Sequence, residues 1–186
     1  PKQFQKLFND KTLLQNTYDR ILKGFDKNNI FVVTGDSMIT DIKAQIDIED
    51  SQIFGEPVGK GTAMAIGYAA LKLKQIDEEA ILVMANSDHA IEPEKKYLEA
   101  LNKAKKIVEN NPNKMLLLGI KPRYPETGYG HIELGDFMGD DVYNVKSLKE
   151  KPDLETAKLY TESGRYLWSP AMFIFKAKQL LEWYKE

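Results

Sequence analysis

An α/β fold is predicted, with a mixed, mostly parallel sheet flanked by helices. Three observations predict it. Two continuous apolar runs, Ala80–Ala85 and Met115–Ile120, have the length and the lack of alternation of strands buried on both faces. Segments with apolar residues at helical spacing stand before and between them. The resulting order of strand, helix, strand, helix is that of crossover units covering a sheet.

The elements follow in order. Asn9-Asp10 is expected to cap a first helix, with Leu14, Tyr18, Ile21, Leu22 and Phe25 as its buried stripe. Ile30–Val33 reads as a short buried strand stopped by Thr34-Gly35-Asp36, and a polar helix is expected over Met38–Gln45. Gln52-Ile53-Phe54 leads into a loop with Gly55, Gly59 and Gly61. From Thr62 to Leu73 the chain is apolar nearly all round, the pattern of a central, buried helix. The Ala80–Ala85 strand comes next. Pro93 fits the first turn of a helix carrying Tyr97, Leu98, Leu101, Ala104 and Val108, which Asn110-Asn111-Pro112 ends. After the Met115–Ile120 strand the rhythm changes. Tyr129–Leu134 and Val142–Leu148 read as extended segments joined by a Gly- and Asp-rich turn. Asp153 is placed to cap a helix to Ser163, Leu167–Phe175 returns as a strand, and a last helix begins near Lys176. There is no repeat, linker or low-complexity tract.

Composition narrows the function classes. The chain has 186 residues, 26 Lys and Arg against 28 Asp and Glu, and a net charge of -2, which argues against a general nucleic-acid binder. It has no cysteine, so disulfides and thiolate metal sites are excluded, and a cytoplasmic location is expected. No apolar run has the length of a membrane span, so no membrane partner is expected. Pro1-Lys2-Gln3-Phe4 has no initiator Met, and the stretch from Lys176 reads as an unfinished helix. The chain is therefore expected to be a piece of a longer one.

Four places carry chemistry. Asp88 follows the Ala80–Ala85 strand in Asn86-Ser87-Asp88-His89; a carboxylate beyond the end of such a strand suits a metal ion and its phosphates, or it simply caps a turn. The Gly55–Thr62 loop allows close backbone approach, and the helix after it offers free amides to an anion; the plain reading is a Gly-rich turn before a helix, and the loop matches neither common phosphate-loop pattern. Lys151 precedes Pro152, which should hold it extended and fix where its ammonium points, unless it is a surface charge. In Thr127-Gly128-Tyr129-Gly130-His131 two glycines flank an aromatic at a strand start, a bend or a place where a bulky ligand meets backbone. His89 and His131 lack metal-ligand spacing.

The order of these pieces resembles the mannose-1-phosphate guanylyltransferases: Pro1-Lys2-Gln3-Phe4, Glu56-Pro57 with Gly61-Thr62-Ala63, Ser87-Asp88-His89, Glu126-Thr127-Gly128-Tyr129-Gly130, Glu150-Lys151-Pro152, and Trp168-Ser169-Pro170-Ala171-Met172-Phe173. The resemblance runs from Pro1 to about Phe175. It implies a Rossmann-like nucleotidyltransferase domain over residues 1–186, present in part, that transfers GMP from GTP to mannose 1-phosphate and releases pyrophosphate with Mg²⁺ as cofactor. It implies catalytic roles for Lys2, Asp88 and Lys151, with Asp88 as the metal ligand. Glu56, Gly61, Thr62 and Ser87 would meet the nucleotide. Gly130, Glu150, Lys151 and Ser169 would meet the sugar phosphate. A homodimer is the oligomer considered.

The chain departs from the family pattern at two loops and at its ends. Lys60-Gly61-Thr62-Ala63-Met64 stands where the family usually has Arg-Asn-Thr-Ala-Pro, and Ser169-Pro170-Ala171 replaces Asn-Ser-Gly. Both changes bear on base and sugar selectivity, because buried polar contacts supply much of a site's discrimination. The Gly-rich stretch before Pro-Lys and the later second carboxylate are absent. Two alternatives follow: a non-catalytic sugar-nucleotide-binding homologue, and a transferase for another sugar 1-phosphate or nucleotide.

Overall fold

The computed structural model describes residues Pro1–Lys185. Its chain divides into two compact units, one formed by Pro1–Leu116 and the stretch from Ile174 onward, the other by Leu117–Phe173.

In the first unit the helix α1 (Leu13–Leu22) starts at Thr12 rather than at Asn9-Asp10. Thr12 and Gln15 form a reciprocal capping box, with the Gln15 amide donating to Thr12 Oγ1 and the Thr12 amide to Gln15 Oε1. Asn9 is engaged with Asn16 instead. Leu14 and Tyr18 pack with Ile42, Ile46 and Ile48, but Leu22 is exposed and Phe25 lies past the helix. The buried stripe takes in Thr17 and Arg20, which the apolar pattern passed over. Strand β1 (Val32–Gly35) begins two residues later than expected and pairs in parallel with β2 (Ile53–Glu56), Val32 opposite Ile53 and Gly35 opposite Glu56. Between them lies the short α2 (Ile39–Lys43).

Helix α3 (Thr62–Ile76) runs longer than expected and is not buried all round. Only Gly67, Ala69 and Ala70 are buried, while Met64, Leu71 and Ile76 are 52%, 48% and 64% exposed. A stripe of small residues sets its packing. The Tyr184 ring lies so close to Gly67 that a Cβ there would stand 2.4 Å from it, and the Tyr184 hydroxyl donates to the Ala63 carbonyl at 2.6 Å. The Ala80–Ala85 run yields a strand of three residues, β3 (Ile81–Val83), paired antiparallel with β8 (Phe173–Lys176), Val83 opposite Ile174. Helix α4 (Glu94–Asn110) buries Tyr97, Leu101, Ala104 and Val108 as the spacing predicts, and Asn111 closes it. Helix α6 (Ala177–Trp183) packs on α3. The Met115–Ile120 run forms only β4 (Leu116–Leu117), half-buried, on the other side of β8 from β3.

The second unit is an antiparallel sheet in the order β6 (Val142–Lys149), β5 (Gly130–Gly139), β7 (Tyr166–Ser169). Asp140 and Asp141, both at positive φ, make the turn between β5 and β6, a backbone suited to a right-twisted hairpin. Asp153 caps α5 (Leu154–Ser163) by accepting from the Thr156 amide at 2.8 Å, and left-handed Gly164 ends it. The expected Leu167–Phe175 strand is broken at Pro170-Ala171, where Ala171 has φ 54°, so β7 and β8 join different sheets.

The α/β class and the mixed pairing stand. The balance differs from a mostly parallel sheet: β1 pairs with β2 in parallel, whereas β3–β8, β5–β6 and β5–β7 run antiparallel. No described helix is long and apolar enough to cross a membrane.

Candidate active site

The expected site residues fall into two groups, one in each unit. In the first unit, Asp88 lies on the turn after β3, its side chain 34% exposed. Lys2, on a single 3-10 turn at Lys2–Phe4, donates its Nζ proton to Asp88 Oδ2 at 3.0 Å across 86 positions of sequence. Ser87 is next to it in the chain. The His89 imidazole lies 3.7 Å from Asp88 Oδ1 and 3.5 Å from the Asn86 side-chain amide. Burial holds its pKa below the ordinary histidine value; Asp88 opposes this, and Lys2 and Arg20 add to it.

The turn is held from behind. Arg20 is 3% exposed, and its Nη2 donates to the His89 carbonyl at 3.0 Å. Its Nε lies 3.8 Å from Glu94 Oε1, and its guanidinium sits 5.9 Å from the centre of the Tyr97 ring. Burial lowers the Arg20 pKa, against the influence of Tyr97 and Glu94. The apolar pattern missed Arg20. The signal was present, since position 20 continues the series Leu13, Thr17 at the i, i+4, i+7 spacing of one helix face.

Glu56 ends β2 and Thr62 opens α3. Gly61, at φ 88°, is the residue between loop and helix, with no side chain capping the helix start. A non-glycine residue would be strained there. Gly55 has a different reason to be glycine: a Cβ would stand 2.0 Å from Asp36 Oδ1, so its small size serves that carboxylate rather than a ligand.

In the second unit, Gly130 opens β5 directly opposite Ser169 at the end of β7. A Cβ on Gly130 would meet Glu150 Oε2 at 3.2 Å and the Ser169 Cβ at 3.6 Å. Glu150 Oε1 in turn lies 3.6 Å from Lys151 Nζ. The structure thus gathers Gly130, Glu150, Lys151 and Ser169 at one end of the β5–β7 pair. Lys151 is not extended as expected before Pro152. It has φ 39°, a left-handed conformation that costs about 1–2 kcal/mol in an L-residue. Ser169 Oγ accepts from the Ala171 amide at 3.4 Å, so its hydroxyl is turned to its own loop. His131 is fully buried; its Nδ1, 3.0 Å from the Tyr129 carbonyl, must be the donor, and its Nε2 has no hydrogen-bond partner.

The family model described as nucleotidyl transferase matches residues 1–186. The chain belongs to that family. Among the curated relatives of this nucleotidyl transferase chain, a mannose-1-phosphate guanylyltransferase of Salmonella muenchen is 36% identical over 191 residues, covering 100% of this chain and 40% of the relative. The chain thus spans about two fifths of that relative's length. Among solved structures, a mannose-1-phosphate geranyltransferase from Thermus thermophilus superposes with a TM-score of 0.90 at 27% identity, over 100% of this chain and 53% of the other. A mannose-6-phosphate isomerase from Helicobacter pylori superposes with a TM-score of 0.81 at 29% identity, over 98% and 69%. The nucleotidyl transferase fold is therefore shared across the full length of this chain.

Proposed function

We propose that the protein carrying this chain transfers GMP from GTP to mannose 1-phosphate, giving GDP-mannose and pyrophosphate. The observation that carries this reading is the Lys2–Asp88 contact, which puts a cation and a carboxylate together beyond the carboxyl end of β3. The naming of the relatives as mannose-1-phosphate guanylyltransferases supports the choice of sugar and base.

In this reaction a phosphate oxygen of the sugar attacks the α-phosphorus of the nucleotide, and the bond to pyrophosphate breaks. Positioning and charge neutralisation carry most of such catalysis. In this reading Lys2 meets phosphate once it leaves Asp88, and Lys151 meets the sugar phosphate. Gly61 and Thr62 present backbone amides at the start of α3 to the nucleotide. Gly130 leaves room at the mouth of the β5–β7 pair for a sugar edge, where Glu150 accepts from hydroxyls.

Magnesium fits what Asp88 offers. Mg²⁺ characteristically takes one or two carboxylates and keeps its waters and substrate phosphates, and Asp88 offers a single, partly exposed carboxylate on the turn after β3. When bound, it would supply neutralisation of phosphate charge. Asp88 is the residue that would hold it.

The test is to incubate full-length protein with GTP, mannose 1-phosphate and Mg²⁺ and to follow pyrophosphate. Release with this pair and not with ATP or UTP, or with glucose 1-phosphate, is the expected result. Release only with another pair would move the assignment to that pair. Calorimetric binding of GDP-mannose with no turnover would make the protein a binder.

A further inference from the structure

Arg20 is an expensive residue to bury. It is 3% exposed in the core face of α1, where an apolar side chain would pack with no electrostatic penalty. Its Nε and Nη1 have no hydrogen-bond partner, and neither do the Thr17 hydroxyl on the same helix and the Tyr97 hydroxyl on α4. The Glu94 carboxylate, at 3.8 Å from Nε, is shared with Lys23. The well-formed bond is the one from Nη2 to the His89 carbonyl, 69 positions away. That carbonyl belongs to the residue immediately after Asp88. A charge-assisted bond there fixes the plane of the His89–Ala90 peptide and so restrains the turn on which Asp88 sits.

We propose that Arg20 is a positioning residue, which clamps the main chain behind Asp88 so that its carboxylate is presented in one direction, toward Lys2. The proposal rests on the reading of Asp88 as part of the reaction centre. Arg20 does not reach that centre itself; it acts through the His89 peptide. The packing of α1 on α4 is a separate service, provided by Tyr97 and Glu94, and the two can be told apart.

The experiment uses full-length protein and the variants Arg20→Met, Arg20→Lys and Glu94→Gln, with hydrogen exchange of the amides of residues 87–91 measured against those of α1 and α4. Arg20→Met is expected to speed exchange at 87–91 about tenfold, the loss of one charge-assisted bond. It should lower kcat about ten- to hundredfold through a misplaced carboxylate and change KM for the sugar phosphate less than about twofold. Glu94→Gln, which weakens only the α4 side, should leave exchange at 87–91 within about twofold of the parent. If Arg20→Met does not fold, Arg20→Lys decides, because its ammonium cannot make the same fixed fork, and faster exchange at 87–91 is again expected. Faster exchange confined to α1 and α4, or an unchanged turn, overturns the proposal. Full turnover by Asp88→Asn would instead overturn the reading of Asp88, whatever the exchange shows.

Discussion

Asp88 and Lys151 are held in place by opposite means. Asp88 sits on a turn whose main chain is tied by a side chain from another element, the Arg20 guanidinium on the His89 carbonyl. Lys151 is placed by its own backbone, at φ 39° just before a proline. The Arg20–His89 bond lowers the energy of the folded state, set against the cost of burying the guanidinium; the left-handed backbone of Lys151 raises it and must be compensated by the rest of the unit. Anchoring by contact ties function to the contact itself, so a variant that loses the Arg20 bond loses the anchor even where an apolar side chain packs in its place. Anchoring by strain sets function and stability against each other.

Four outcomes would break or sharpen that contrast. The largest concerns Asp88→Asn, which keeps the shape of the side chain and removes its charge. It should lower kcat by on the order of 10²–10³-fold, the scale of losing one charge-stabilising group, as read by pyrophosphate release. Next, Lys151→Gly relieves the left-handed strain while adding chain entropy to the unfolded state. It should leave stability unchanged or raise it by up to about 1 kcal/mol, as measured by chemical denaturation, even as turnover falls. A loss of stability would show that Lys151 is held by contacts after all. A smaller effect is expected at Ala171, also left-handed at φ 54°. Ala171→Gly should be neutral to stabilising by a few tenths of a kcal/mol and should free the Ser169–Ala171 loop. The smallest is a pH effect at the start of α5. The Thr156 amide bonded to Asp153 holds that carboxyl below the ordinary Asp value. Because the folded pKa is the lower one, the cap's contribution is complete above the ordinary value and is lost as pH falls through the folded one. The stability difference between the parent and Asp153→Asn should therefore shrink on acidification, which denaturation at a series of pH values would record.

Local features were legible in the sequence where they depend on neighbours in the chain. The Asp153 cap, the β5–β6 hairpin and the face of α4 fall where caps, turns and period place them. The Asp88 turn was legible for the same reason. What escaped depends on distant partners. The two apolar runs announced burial but not length, and they formed strands of three and two residues because β3 and β4 flank a late strand, β8, that is itself four residues long. An all-apolar α3 read as central, yet its packing is set by Gly67 under Tyr184, which no local pattern contains. Lys151 violated the preference of residues before proline, a conflict between local and global demands of the kind that concentrates at working parts of proteins. Arg20 was hidden because a charged residue in a helix reads as a surface one.

The Tyr184–Ala63 bond also bears on the order in which the molecule comes together during synthesis. The first unit is written in two stretches, with the second unit inserted between them. Until the second stretch emerges, β3 lacks its partner β8 and α3 lacks the ring that seats it. The inserted unit is continuous, and its strand pairs are complete by Ser169. It can form while the stretch Pro1–Leu116 is still waiting for the residues from Ile174 onward, so within these residues the stretch written first closes after the unit inserted in it.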